Sequence, residues 1–224
     1  AIISRVNRPV CFLIQGFFKE ESGETAALLS RRAAQEECRR RDVSSLRPGD
    51  VIRARITHLE AFGAFADIGC GVVALLPIDA ISVSRIDPPR ERFAPGMDIF
   101  AVVKSIDGSR VNLTHKELLG TWEENAAQFH PGETVAGVVR SVEPYGVFVE
   151  LTPNLAGLAE SREGAAAGQQ ASVYIKSILP GRMKVKLILI DTFHYAAPPE
   201  PPRYFFHGKH IDLFDYSPTE CGKL

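Results

Sequence analysis

An all-β fold of tandem five-stranded barrels joined by short helices is what this sequence predicts, on three observations. The stretch PGDVIRARITHLEAFGAFADIG, opening at Pro48-Gly49, is answered at Pro131-Gly132 by PGETVAGVVRSVEPYGVFVEL. Turn, alternating strand and aromatic-Gly-small-Phe group fall at matching offsets, which marks a repeated unit. Each copy also divides into short alternating segments separated by Gly-rich turns, five in about 70 residues. Finally, 224 residues with 45% hydrophobic content carry enough apolar matter for more than one core.

The elements follow in order. PVCFLIQGFF at 9–18 is a strand-like apolar run, and EESGE after it is a turn. TAALLSRRAAQEECRRR has helical character, although AALLS can equally finish a sheet before the helix begins. Arg31, Arg32, Arg39, Arg40 and Arg41 make this the most basic stretch. Residues 47–119 form the first full module. Pro48-Gly49-Asp50 turns into VIRARIT, and FGAFADIG ends in Gly69-Cys70-Gly71, a hairpin-type turn into VVALLPI. MDIFAVVKSID and RVNLTHK complete five strands, the count of a small Greek-key barrel of the OB type.

ELLGTWEENAAQFH reads as a short linking helix, broken near Gly120 and stopped before Pro131, with its linker proper at 120–130. The second module, 131–192, repeats the strands as ETVAGVVRSV, GVFVEL, AGLAE, ASVYIKSI and MKVKLILI. Its loop around Gly164 to Gly168 is shorter than the counterpart ISVSRIDPPRERFAPG, so the barrels should differ most there. The tail, 193–224, begins with AAPPEPP, an extended connector. YFFHGKHIDLFDYS beyond it reads as two short strands turning at His207-Gly208-Lys209-His210, and its aromatic residues must pack somewhere.

Composition removes several classes of function. A net charge of -1 excludes a protein that grips nucleic acid chiefly by bulk positive charge. No apolar run reaches the roughly 20 residues of a membrane span, and the N-terminus does not read as a signal peptide, so a cytoplasmic protein without membrane partners is expected. Cys11, Cys38, Cys70 and Cys221 form no CxxC pair and read as buried or incidental thiols. Six histidines fall in no HExxH or phosphate-cradling pattern. His58 and His115 read as surface or packed, and HGKH as a turn in preference to metal ligands with Cys221. No enzyme activity, metal or cofactor is expected.

The order of Gly, alternating strand, aromatic-Gly-Ala-Phe, Gly-rich turn, Ile-Asp and Gly-x-Arg-x-x-Leu-Thr resembles the RNA-binding repeat of bacterial ribosomal protein S1. Module one carries it as Phe62-Gly63-Ala64-Phe65, Asp67, Ile106-Asp107 and Arg110 to Thr114. The resemblance implies that Phe62 and Phe65 stack on nucleobases from the outer barrel face, with Asp107 and Arg110 beside them. Spacing alone puts the two rings on opposite faces of a regular strand, so sharing a face requires a kink that Gly63 can permit; otherwise one ring is core. Arg110 either meets a phosphate or base or forms a solvated pair with Asp107. The family's third-strand histidine is replaced by Pro77.

Module two resembles the family more loosely, with Tyr145 and Phe148 in the aromatic positions, Asn154 in the turn and Glu160 where the histidine belongs. Arg182, Lys184 and Lys186 either offset Glu160 or only solubilise an edge strand. Residues 1–46 resemble the closing strands and helix of a partial third repeat, and the aromatic tail is expected to cover its open edges near residues 9–18. The implied function is single-stranded RNA binding in translation, with the small ribosomal subunit as a further partner and the oligomeric state left open. Two alternatives stand beside it: a non-catalytic adaptor whose barrels dock proteins, and the accessory part of an RNA-processing enzyme.

Overall fold

The computed structural model describes residues 10–108, 110–194, 199 and 201–218. It begins with a two-stranded antiparallel sheet, β1 (Leu13–Lys19) and β2 (Thr25–Ser30), followed by α1 (Arg31–Arg41). The AALLS ambiguity thus resolves as strand. Ser30 ends it and caps the helix, its hydroxyl accepting from Ala33 N at 3.1 Å. The basic stretch is partly neutralised, since Arg32 pairs with Glu36 at 2.9 Å and Arg40 with Glu37 at 2.8 Å.

Two closed barrels follow. The first contains β3 (Val51–Glu60), β4 (Gly63–Asp67), β5 (Val73–Pro77), β6 (Asp98–Asp107) and β7 (Arg110–Thr114), in the order β3-β4-β5-β7-β6. A 3₁₀ turn, Lys116–Leu119, and the short α2 (Trp122–Ala126) lead to the second. The expected linking helix is thus confined to five residues. Gly120 breaks it with φ +85°, and Thr121 with Glu124 forms a capping box at the restart. The second barrel contains β8 (Thr134–Glu143), β9 (Gly146–Thr152), β10 (Leu155–Ala159), β11 (Gln170–Leu179) and β12 (Lys184–Phe193), ordered β10-β12-β11-β8-β9. Closure pairs β5 with β7 and β10 with β12 in parallel, as a five-stranded barrel requires.

Alternation sorts the side chains. Ile56, Ala64, Ala66, Leu76, Val103 and Leu113 fill the first barrel, and Val139, Val147, Val149, Leu155, Ile175 and Leu187 the second. Among their register slips the barrels share one at an equivalent place, between Val103 and Ser105 in β6 and between Ile175 and Ser177 in β11. β1 slips likewise between Ile14 and Gly16. The pair Ile14↔Leu29 therefore stands where Val103↔Leu113 and Ile175↔Leu187 stand in the barrels. Those four barrel side chains are buried, whereas Ile14 and Leu29 are 54% and 49% exposed, because no further strands close over them among the described residues.

The barrels are bolted together. Ser84 N donates to Pro153 O at 3.0 Å, and Val83 N to Asn154 Oδ1 at 3.0 Å. Asn154 Nδ2 donates to the carbonyls of Lys116 and Gly120, each at 2.8 Å, so one fully buried amide ties the loop after β5, the linker and β9–β10. Beside it Glu150 accepts from Arg92 at 2.5 Å and from Arg140 at 2.7 Å, and Arg140 also pairs with Glu91.

The tail departs from expectation. Residues 201–218 form no hairpin; their one bridge is His210 to Asp50. The backbone groups that a hairpin would pair internally are engaged by the barrel instead. Val51 N donates to Lys209 O and Ile211 N to Gly49 O, both at 2.8 Å, while Tyr204 and Tyr216 pack against the barrels. The tail does not cover β1 and β2 either, and Phe17, Phe18 and Leu28 remain half or more exposed. Cys221 and Pro9 lie outside the described residues.

Candidate nucleic-acid interface

Phe62 sits in the β3–β4 turn and Phe65 in β4, yet their rings meet edge to face with centroids 5.9 Å apart. Gly63 allows this. It has φ +158° and is buried so closely that a Cβ would strike the Leu76 carbonyl oxygen and lie 3.0 Å from Pro77 Cα. The turn therefore swings Phe62 round beside Phe65. Phe62 is 56% exposed and Phe65 half-buried on the outer wall, so neither is core.

Register extends this patch across the barrel. His58 pairs with Phe65, Phe65 with Leu75, Leu75 with Asn112 and Asn112 with Ser105, giving one outward row over five strands. His58 lies in near-parallel contact with Phe65, centroids 6.1 Å apart at 28°, and its Nε2 is 2.6 Å from Glu60 Oε1. From the sequence His58 reads only as a surface or packed residue, because the resemblance puts the histidine on the third strand, at Pro77. A signal existed: His58 is two residues from Ile56 on an alternating strand, but the register slip between Ile56 and His58 is invisible without pairing. Arg110 pairs with Asp107 in the ladder and is exposed, and no ion pair joins the two among the described residues. Asp107 instead faces Asn112, whose Nδ2 donates to Ser105 Oγ at 3.0 Å and to Asp107 Oδ2 at 3.5 Å.

The second barrel repeats the row as Ser141, Phe148, Leu158, Lys186 and Ser177. Tyr145 and Phe148 meet edge to face at 6.2 Å, and Gly146 takes the place of Gly63, with φ +154°. Here the aromatic pair opens onto a groove of about 610 Å³ lined also by Lys176, Arg182, Lys184, Lys186 and Glu160. Arg182 stands in a 3₁₀ turn, Pro180–Arg182, and Met183 follows with φ +49°, turning the chain back so that Lys184 occupies the position of Arg110. Four cations against one carboxylate make this groove locally basic in a chain with net charge -1. All eight residues singled out from the sequence are thus placed. Phe62, Phe65, Asp107 and Arg110 belong to one barrel, and Tyr145, Phe148, Arg182 and Lys184 to the other.

Two histidines outside this face are otherwise occupied. His115 is buried, Nδ1 3.0 Å from Ile81 O and Nε2 3.4 Å from Tyr204 Oη; burial pushes it down to about 4, so the ring is neutral. His210 Nδ1 is 2.7 Å from Asp50 Oδ1. Asp50 is held below the usual carboxylate range by the Arg47 backbone N–H and then by His210. No group of three His, Cys, Asp or Glu able to hold a metal ion occurs among the described residues.

The family model of the S1 RNA binding domain matches residues 45–116, which contain the whole first barrel. A small ribosomal subunit protein bS1 from Staphylococcus aureus (strain N315) is 35% identical over 183 residues, covering 74% of this chain and 46% of the relative. The chain belongs to the S1 family. A bS1 homolog from Bacillus cereus is 29% identical over 165 residues, covering 67% of this chain and 43% of its own length. The chain therefore spans less than half the length of these curated S1 relatives. Among solved structures, a multidomain protein with nucleic acid binding domains from Streptococcus pneumoniae covers 78% of this chain and 59% of its own, with 13% identity and a TM-score of 0.33, a likeness too weak to bear on the reading of this S1 chain. No helix among the described residues is long and apolar enough to cross a membrane.

Proposed function

We propose that this chain binds single-stranded RNA along the aromatic outer faces of its two barrels. The observation that carries the reading is the edge-to-face aromatic pair at the same register position in both, Phe62–Phe65 and Tyr145–Phe148, each on an exposed row. Exposed rings of this kind stack on bases regardless of sequence, each contributing about 1–3 kcal/mol. In this reading Arg110 in the first barrel, and Arg182, Lys184 and Lys186 in the second, meet phosphates, with Arg110 also able to lie flat on a base. Glu160 lowers the basicity of the second groove without cancelling it.

The names of the relatives support a setting in translation, with the small ribosomal subunit as a partner. The shared register slip supports residues 1–46 as the closing part of a third repeat, with 47–119 and 131–192 as full repeats. The barrel-to-barrel bolts present both faces in one arrangement, so weak contacts on each add through linkage.

Fluorescence anisotropy with a labelled mixed-sequence single-stranded RNA, taken across a salt series, tests this. Binding of about 1–50 μM is expected, with a salt slope near -2 if three phosphates are met in the second groove. Phe62→Ala with Phe65→Ala, and separately Tyr145→Ala with Phe148→Ala, should each weaken binding about 10- to 100-fold. Undiminished affinity in both folded variants would sink the stacking face.

A further inference from the structure

Residues 201–218 belong to neither barrel, yet they touch both. Each barrel closes on its own five strands, and the two buried cores take no residue from the tail, Tyr216 packing only at the margin of the second. What the tail has is a series of anchors, and they begin and end at the junction. Arg203 Nη1 donates to Gln128 Oε1 at 2.8 Å, just after α2. Phe205 N donates to Leu118 O at 2.9 Å, and its ring lies on Gly120, where a Cβ would come within 2.8 Å of Phe205 Cγ. The chain then crosses the rim of the first barrel through Lys209, His210 and Ile211, and returns at Tyr216. Tyr216 O accepts from Trp122 N at 3.1 Å, and the Tyr216 hydroxyl donates to the carbonyl of Asn154, the residue that bolts the barrels together.

Two phenols carry much of this docking. Tyr204 Oη accepts from Phe100 N at 2.9 Å and stands 3.4 Å from His115 Nε2. His115 Nδ1 faces the Ile81 carbonyl at 3.0 Å, and a carbonyl only accepts, so Nδ1 holds the proton of the neutral ring and Nε2 takes the Tyr204 hydroxyl. Tyr216 is half-buried, and burial pushes its phenol up to about 12, so it stays a donor. Between these two points the tail is thinly held. Residues 207–210 are exposed, and Leu213 is 87% exposed. A segment held by hydrogen bonds, with little apolar burial, opens at a lower free energy than the closed barrels beneath it.

We propose that the tail is a detachable strap over the junction: docked, it fixes the linker at Gly120 and holds the two aromatic faces in one arrangement; released, it leaves two folded barrels that meet RNA separately. The consequence for RNA rests on the reading given under Proposed function, whereas the release rests on the anchors alone. Holding both faces in place removes an ordering cost that a loose junction meets when one RNA bridges it. The strap therefore alters the affinity for a long RNA and leaves that for a short one unchanged.

The test uses the full chain and its Tyr204→Phe, Tyr216→Phe variant, which loses only two hydroxyls. Amide hydrogen exchange reads the release. In the parent the Phe205 and Ile211 amides should exchange at least about tenfold faster than those of Ile56 and Ile175 in the barrels, and faster again in the variant, with Ile56 and Ile175 unchanged. Fluorescence anisotropy reads the consequence. A labelled RNA of about 30 nucleotides should bind the variant about tenfold more weakly, whereas one of about 5, the footprint of a single barrel, should bind both proteins alike. Tail amides as slow as Ile56 and Ile175 would overturn the strap, as would a variant whose tail amides stay as protected as the parent's. So would undiminished affinity for the long RNA once the tail amides have opened, or an equal loss for the short one, which would make the tail part of an RNA face. If neither RNA binds the parent, the RNA reading fails, and the exchange rates still decide whether the strap opens.

Discussion

Replacing Glu150 with Gln tests whether the two barrels are held by charge. Glu150 bridges Arg92 at 2.5 Å and Arg140 at 2.7 and 3.1 Å, and the three side chains are 5%, 15% and 11% exposed. Solvent screening is therefore slight, and removing one partner of so buried a pair costs about 3–5 kcal/mol. Gln retains one acceptor oxygen, which places the expectation near the lower end, about 3 kcal/mol. Arg92 suffers most: its Nε has no hydrogen-bond partner even in the native arrangement, and burial already pushes its guanidinium below the usual arginine range. Arg140 keeps Glu91. Urea unfolding followed by Trp122 fluorescence is the assay, since this is the chain's one tryptophan and it is buried at the junction, in the second barrel's core. Glu150→Gln should lower the midpoint, and adding Arg92→Met should recover most of the loss by removing the stranded charge. A Glu150→Gln protein within about 0.5 kcal/mol of the parent would refute the reasoning.

Three further outcomes are expected. His115 has a folded pKa of about 4 against 6.5 for the ordinary ring, so the unfolded chain binds the extra proton between these values. Its contribution is fully present above about pH 6.5 and is lost as pH falls toward 4, up to about 3 kcal/mol; urea midpoints from pH 6.5 to 5 should decline less steeply in His115→Gln than in the parent. Gly63→Ala should destabilise the first barrel by about 1–3 kcal/mol and weaken RNA binding together, because the new Cβ pushes β4 off Leu76 and Pro77 and displaces Phe62; equal stability and affinity would count against the turn geometry. Asn154→Ala removes hydrogen bonds to three residues, Val83, Lys116 and Gly120, at a fully buried site and should cost about 2–3 kcal/mol, read by the same Trp122 transition.

Much of the fold was legible because its signals are local. Gly63 and Gly146, flanked by alternating strands, announced both hairpins, and Gly120 announced the break before α2. The candidate aromatics were legible for the same reason. What misled was a rule about position: the missing histidine was sought at Pro77, whereas pairing brings His58 to Phe65. The aromatic tail shows the converse error. Its residues alternate well enough for a hairpin, but their backbone groups find partners on the rim of the first barrel, an outcome no local pattern records.

By itself the sequence determined two five-stranded barrels, their order, and the aromatic-Gly-small-Phe corner of each, because strand period and turn chemistry act within a few residues. Only the tertiary structure decided which charges meet. Arg92 and Glu150 are 58 residues apart in the chain, and Asp50 and His210 are 160 apart. Gln35 reaches Gly71 only because α1 lies against the β4–β5 turn. Contacts of that kind depend on how closed units stack on one another, and the chain encodes stacking in surfaces that exist only after each unit has folded.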